Sequence, residues 1–395
     1  MTILSIVLAV IILLVMICVH EFGHFVAGRI LGFKIDEFAI GFGPRIFKRR
    51  GKKHGTLFSV RAFPLGGFCA FEGEDGDVEQ NTEVKDGGNA PFGEVTAEQV
   101  RTDAVRTDEI KSPSPTAFNS KKPWQRIIVL VAGATMNYLL ALLLIIIMFF
   151  TFGQACYKMG AVKEEEAYAV EYSLQEGDII LQANGRSVYF STDLISALGG
   201  KKAGDEVTFT VLRDGQEVEA QVILRADCNF KNSSEVGKIW NALGSDTYVA
   251  EDGKAYYTVT AENIRFPFFQ TLGRSFVHSF KTAGAIFRVL GELLTGNLGL
   301  NAVGGPVTTI KLTGEMAVQG FESFLQIASY IGVNLAVFNL LPIPALDGSK
   351  VIFCLIEWIF KRPVPRKVEA IIHAVGFVLI LGFAVVVDIL QFARC

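Results

Sequence analysis

Four long apolar blocks punctuate the chain, at Ile3–Val19, Ile127–Phe152, Phe324–Leu341 and Ala370–Phe392. Each approaches the ~20 residues a helix needs to cross hydrocarbon, so four transmembrane helices are expected. The first block runs on into further helical turns. It opens Met1-Thr2-Ile3-Leu4-Ser5, with no basic start and no small-residue cleavage site after it, which favours a membrane helix over a removable signal peptide. Basic residues crowd two short flanks. One holds Arg29, Lys34, Arg45, Lys48, Arg49, Arg50, Lys52, Lys53 and Arg61; the other holds Lys361, Arg362, Arg366 and Lys367. Such flanks are retained in the cytoplasm, so both termini and region 153–323 are expected on the outer side, an assignment consistent with an even number of crossings.

Between the second and third blocks the period changes. Gly177–Asn184 reads as a strand ending at Asn184-Gly185, a hairpin turn signal. Asp193–Leu198 reads as a short helix. Val207, Phe209 and Val211 alternate with polar residues, Asp214-Gly215 turns the chain, and Val218, Ala220 and Val222 alternate back. This order resembles a PDZ domain, whose sheet edge can accept an extended peptide; a plain β-rich spacer would give the same alternation. No glycine-rich carboxylate-binding loop is evident before Tyr172, so capture of a free C-terminus is not expected. Downstream, Phe269, Leu272, Phe276, Phe280, Ala283, Phe287, Leu290 and Leu294 recur at helical spacing, with Arg274, Lys281 and Arg288 on another face. That pattern suits a helix lying on a membrane surface or packed on its own soluble domain. Glu72–Asn119 is rich in Glu, Asp, Gly, Thr and Pro and poor in large apolar residues, the composition of a disordered, solvated insert.

Composition sharpens this picture. Charged residues make up 19% of the 395, below the roughly one quarter of a soluble domain. A net charge of -3 argues against a nucleic-acid partner. The six cysteines, Cys18, Cys69, Cys156, Cys228, Cys354 and Cys395, show no CxxC spacing. A disulfide framework or a cysteine-ligated metal is not expected, with a Cys156–Cys228 pair left open.

The chemistry sits where charge is expensive. His20-Glu21-Phe22-Gly23-His24 closes the first apolar block. Residues i and i+4 share a helix face, so both imidazoles can reach one metal, and Glu21 beside them can take a proton from water and pass it to a leaving amine. Hydrogen bonding between helices could also hold such groups, but ionisable residues inside a span point to function. A catalytic zinc needs three protein ligands and an open position. Asp347, in Asn339-Leu340-Leu341-Pro342-Ile343-Pro344-Ala345-Leu346-Asp347-Gly348, stands at the same depth on a span running the same way. A zinc dication would offset Asp347 and Glu21 and make the cluster cheaper to bury. Pro342 and Pro344 interrupt the helix, and with the Asn339 amide they offer a cradle for an unwound substrate backbone; a simple proline kink is the alternative.

HEFGH, Gly41-Phe42-Gly43-Pro44, Phe63-Pro64-Leu65-Gly66-Gly67-Phe68, Ala132-Gly133 with Asn137, Gly305-Pro306-Val307 and NLLPIPALDG together resemble the bacterial site-2 proteases, intramembrane zinc metalloproteases of regulated proteolysis. The resemblance spans nearly the whole chain. It implies zinc ligation by His20, His24 and Asp347, water activation by Glu21, and substrate positioning by Asn339, Pro342 and Pro344. It further implies a membrane-associated β-hairpin near Phe58–Phe68, with Gly66, Gly67 and Phe68 beside an extended substrate. The PDZ-like domain and the amphipathic helix would then act as a size filter. Ala134 stands where the family usually has proline, and Ser349-Lys350 replaces the common Gly-His.

The fold expected is therefore a polytopic α-helical membrane protein with four transmembrane helices, an extracytoplasmic β-rich PDZ-like domain and a membrane-associated β-hairpin. Its expected parts are 1–71 (first helix and hairpin), 72–122 (acidic cytoplasmic insert), 123–153 (second helix), 165–226 (PDZ-like), 227–320 (linker and amphipathic helix) and 321–395 (third and fourth helices). The expected activity is hydrolysis of single-span membrane proteins in a bacterial cytoplasmic membrane, such as anti-sigma factors or signal-peptide remnants, after a first extracytoplasmic cut. Two other classes compete. A silent scaffold would lack the general base, and a metal transporter would carry several ligand clusters along a path. His278 and His373 read as surface or packing residues, and His54 as solvated.

Overall fold

The computed structural model describes residues 2–74, 114–160, 174–224, 226–230, 259–298 and 304–392, with a few isolated positions between 239 and 256. Most of the acidic insert (75–113), and the stretch before Tyr172 where no carboxylate-binding loop is expected, lie outside the described residues. Among those described, four helices are long and apolar enough to cross a membrane, and they coincide with the four apolar blocks. They are α1 (Ile3–Ile30), α2 (Pro123–Thr151), α6 (Phe321–Leu340) and α8 (Arg366–Phe392).

α1 starts where Thr2 caps it, its hydroxyl accepting from Ser5 N at 3.2 Å. Its buried positions, Ser5, Ala9, Ile12, Met16, His20, Gly23, His24 and Gly28, follow the three- and four-residue spacing of one face. That face meets α2, which also touches α6, α4 (Phe268–Leu294) and α7 (Asp347–Phe360) and so stands at the centre of the bundle. Lipid gives no hydrophobic drive between helices, so small residues that let backbones approach carry the packing. Ala134 and Ala141 of α2 are fully buried, and a Cβ at Gly332 of α6 would stand 2.9 Å from Ala141 Cβ.

After α1 the chain forms two long antiparallel strands, β1 (Ile35–Arg50) and β2 (Leu57–Phe71). The leading half of β1 is flanked by both halves of β2, with Phe38 opposite Cys69 on one side and Phe58 on the other. Glu37 ties the halves together: Arg45, Ser59 and Arg61 all donate to it, at 2.7, 2.5 and 2.9 Å. Burial pushes its carboxyl up, but those hydrogen bonds outweigh burial and hold it at about 2.

The β-rich domain contains β3 (Gln154–Met159), β4 (Ile179–Ala183), β5 (Arg186–Ser187), α3 (Ser191–Leu198), β6 (Glu206–Arg213) and β7 (Gln216–Ile223). Short strands β8 (Tyr248–Val249) and β9 (Ala255–Tyr256) precede β10 (Val259–Ile264). The sheet order is β10-β3-β4-β6-β7, with β5 on β4, so β3 and β10 extend it beyond residues 165–226. Asn184-Gly185 and Asp214-Gly215 both take positive φ, as their hairpin turns require. Alternation puts Val207, Phe209, Val211, Ala220 and Val222 in the core, none more than 1% exposed. β3 leaves the end of α2 and β10 leads into α4, so short connections fix this sheet to the bundle. Cys156 and Cys228 are both free and buried.

α4 distributes its faces in three directions. Phe269, Phe276, Phe280 and Phe287 point outward, while Thr271, Ser275, Ser279 and Thr282 are buried. Small hydroxyl residues therefore face the bundle, with Ser279 Oγ 2.7 Å from Tyr138 OH of α2. The cations of the third face reach the β domain: Lys281 bonds Asp193 at 2.7 Å and Arg288 bonds the Thr192 carbonyl at 3.1 Å. α5 (Pro306–Ala317) packs on α1, where a Cβ at Gly314 would stand 2.4 Å from Ser5 O.

Candidate active site

Two glycines let α1 and α2 cross in near contact. A Cβ at Gly23 would lie 2.4 Å from Ala132 O, and one at Gly133 only 2.4 Å from His24 Nε2 and 2.8 Å from His20 Cε1. The space a side chain would fill at Gly133 is taken by the two imidazoles.

Asp347 arrives from the other side of the bundle. α6 stops at Leu340 because Pro342 follows: Leu341 is extended, φ -68 and ψ 147, as a residue before proline must be. The chain then folds back, Ser349 closes the turn with its hydroxyl on Leu346 O at 2.7 Å, and α7 begins at Asp347. A Cβ at Gly348 would stand 2.0 Å from Leu341 O, so glycine there permits the fold-back.

These elements bring His20, His24 and Asp347 together. His20 Nε2 lies 2.9 Å and His24 Nε2 3.2 Å from Asp347 Oδ2, with 3.1 Å between the two nitrogens. Donors bound at 2.0–2.1 Å around a tetrahedral zinc stand about 3.3 Å apart, so the set fits that ion with slight expansion. His24 Nδ1 donates to the Val129 carbonyl at 2.8 Å, which leaves the Nε2 lone pair toward the cluster. The Asn339 amide is 3.4 Å from His20 Nδ1. The amide nitrogen faces the ring; a carboxamide flip that turns the oxygen there would let Nδ1 donate and leave the His20 Nε2 lone pair for the cluster. Two imidazoles and one carboxylate, both histidines buried, form a three-donor set of the catalytic type.

A 260 Å³ cavity opens on this cluster, walled by His20, Glu21, Asn137, Asn339, Leu346 and Asp347 among others. Asn137 was not singled out as a site residue from the sequence, yet it carries the clearest signal in the cavity. It is 0% exposed, and among the described residues neither its amide nitrogen nor its oxygen has a partner. A buried orphan carboxamide is costly and marks a place where a polar ligand group is expected.

The remaining predicted residues divide. A Cβ at Gly67 would lie 3.4 Å from Glu21 Cγ, so β2 runs directly past the carboxylate. Gly66 presses on Phe42, where a Cβ would stand 1.9 Å from the ring. The Phe68 ring stacks on Phe42 at 6.4 Å and lies under Arg61 at 4.8 Å, within the hairpin. Pro342 is exposed, and Pro344 packs on Gly376 of α8; neither walls the cavity.

The sequence profile of Peptidase family M50 matches residues 8–383. "Putative zinc metalloprotease CPE1693" of Clostridium perfringens is 31% identical over 376 residues, covering 95% of this chain and 94% of that one. "Regulator of sigma-W protease RasP" of Bacillus subtilis is 26% identical over 416 residues, covering 93% of each chain. The solved PDZ domain of an SdrC-like protein from Listeria monocytogenes overlaps 28% of this chain and 90% of its own at 17% identity, with a TM-score of 0.17, too low to argue a fold from. The chain belongs to peptidase family M50, as a zinc metalloprotease of the site-2 type.

Proposed function

We propose that this chain is an intramembrane endopeptidase that cuts single-span membrane proteins in or beside their transmembrane segments, with His20, His24 and Asp347 holding its zinc and Glu21 acting as general base. Zinc supplies Lewis-acid activation of the scissile carbonyl and of water. Glu21 takes the proton of the attacking water and returns it to the leaving amine. Asn137, whose carboxamide has no partner among the described residues, receives a substrate carbonyl and steadies the charge that develops on its oxygen. Asn339 orients His20.

A peptide bond in an intact helix is shielded, so the substrate must unwind before cleavage. Among the described residues the Gly67–Phe71 half of β2 pairs with β1 alone, and Gly67 lies against Glu21, so an extended substrate strand added beside that half would pass close to the carboxylate. In this reading both termini and the β domain lie outside a bacterial cytoplasmic membrane, and the cluster sits toward the cytoplasm. The β domain, read as PDZ-like, filters substrates together with α4, so that those already trimmed by an outer cut enter. Anti-sigma factors fit this class, in keeping with the name of the Bacillus subtilis relative, and so do signal-peptide remnants.

The observation that carries the proposal is three ligand atoms within 4.8 Å of one another, in a cavity that the Glu21 carboxylate also lines. Glu21→Gln should lower cleavage of a single-span substrate in detergent by at least about 100-fold while zinc stays near one per chain. Asp347→Asn should lose both. Full cleavage by Glu21→Gln removes Glu21 from the chemistry.

A further inference from the structure

α8 is the least embedded of the spanning helices. Most of its side chains are exposed, and it touches the rest of the protein near its two ends. One contact ties Asp388 to Val307 N of α5 at 3.3 Å. The other falls on the loop that delivers Asp347. There His373 Nδ1 accepts a hydrogen bond from Ala345 N at 2.9 Å, and Gly376 lets Pro344 pack where a Cβ would stand 2.1 Å from Pro344 Cβ.

The recipient of that bond is unusual. Ala345 takes φ +72, a left-handed conformation that crowding at Cβ disfavours in any L-residue. Ile343 N and Leu346 N find acceptors inside the loop, Leu341 O at 2.7 Å and Ile343 O at 3.2 Å, while Ala345 N reaches out to another helix. Irregular backbone at membrane depth persists only where its polar groups are satisfied by protein or cavity water. Because Nδ1 accepts, the ring carries its proton on Nε2, which faces Glu369 Oε1 at 3.9 Å. His373 reads as a surface or packing residue in the sequence; in the fold it grips the backbone two residues before Asp347.

We infer that His373 is a positioning residue: α8 latches the Pro344-Ala345 segment through the His373 acceptor and the Gly376 contact, and so holds Asp347 at the distance the two histidines require. The inference rests on His20, His24 and Asp347 being the zinc site. Without the latch, Ala345 relaxes toward an ordinary conformation and Asp347 loses its fixed approach to His20. The metal then loosens before the fold does.

The test uses full-length protein in detergent and reads zinc release to a competing chelator alongside kcat and KM for a single-span substrate. His373→Leu removes the acceptor with little change in bulk; His373→Asn keeps an acceptor at the same δ position and serves as the rescue variant. Gly376→Ala pushes the helix off Pro344 by an independent route. His373→Leu and Gly376→Ala should release zinc about 10–100-fold faster and lose kcat in the same range with KM unchanged, whereas His373→Asn should stay within about three-fold of the parent. The inference is overturned if His373→Leu and Gly376→Ala hold zinc like the parent, or if His373→Asn is as impaired as His373→Leu. A parent chain that binds no zinc through His20, His24 and Asp347 would instead overturn the reading beneath it.

Discussion

Gly133 shows how much of the site depends on a missing side chain. Its Cα faces both imidazoles, and a methyl there would overlap His24 Nε2. Gly133→Ala should displace the rings at a cost of about 1–3 kcal/mol, the usual penalty of overpacking, and weaken zinc retention at least about ten-fold; zinc titration against a chelator reads this directly. Asn137 makes the opposite prediction for stability. Asn137→Leu removes an orphan carboxamide and should raise thermal stability in detergent by about 1 kcal/mol, while cleavage falls about 100-fold or more. If activity survives, Asn137 serves packing alone. His20, Glu21, His24 and Asp347 were legible in sequence because ionisable groups in apolar runs stand out and the i, i+4 spacing defines a face. Gly133 and Asn137 were visible only as parts of a resemblance, since a glycine or an asparagine within a span usually serves helix packing. Phe68 illustrates strand alternation: Gly67 faces Glu21, so its neighbours Gly66 and Phe68 face Phe42 on the other side of the ribbon.

At the level of elements, α4 explains why periodicity alone could not choose between membrane and protein. Its phenylalanines and its cations lie on separate faces, and a third face of Ser and Thr, which carries little hydrophobic signal, docks on α2. Where α4, α2 and the β domain meet, His278 is wedged among Phe149, Tyr189 and Phe190, at ring distances of 5.1, 6.1 and 4.8 Å. Burial pushes its pKa down to about 4, with Asp193 raising it and Arg274 lowering it. Lys281, paired with Asp193, and Arg288 complete the charged groups at this contact. A depressed histidine binds fewer protons when docked than when free, so the docked state is fully favoured above about 6.5 and loses that advantage as pH falls toward 4. Amide protection in α3 and in the first turns of α4, taken relative to the intrinsic exchange rate at each pH, should therefore fall between pH 6.5 and 4. His278→Phe should remove that part of the pH response; an unchanged profile would assign it to other groups.

For the whole molecule, hydropathy located the four spans and charge suggested their direction, because both signals are summed over many residues. What sequence could not convey was how the β domain seats on α4, since those contacts join residues 88 positions apart at Lys281–Asp193 and 96 apart at Arg288–Thr192. Orientation itself admits a direct check. Lys52 lies in the turn between β1 and β2 and Lys202 in the β domain, and both are exposed. Cys69, Cys156, Cys228 and Cys354 are buried, so with Cys18 and Cys395 replaced the background should resist an impermeant maleimide. Lys202→Cys should then label in intact spheroplasts, and Lys52→Cys only after the membrane is opened. Nine basic residues on the first flank would otherwise have been carried across the bilayer, against the bias that retains such segments. The reverse labelling pattern would put the His20–Asp347 cluster near the outer face, and substrates would then have to present their cleavage site from that side.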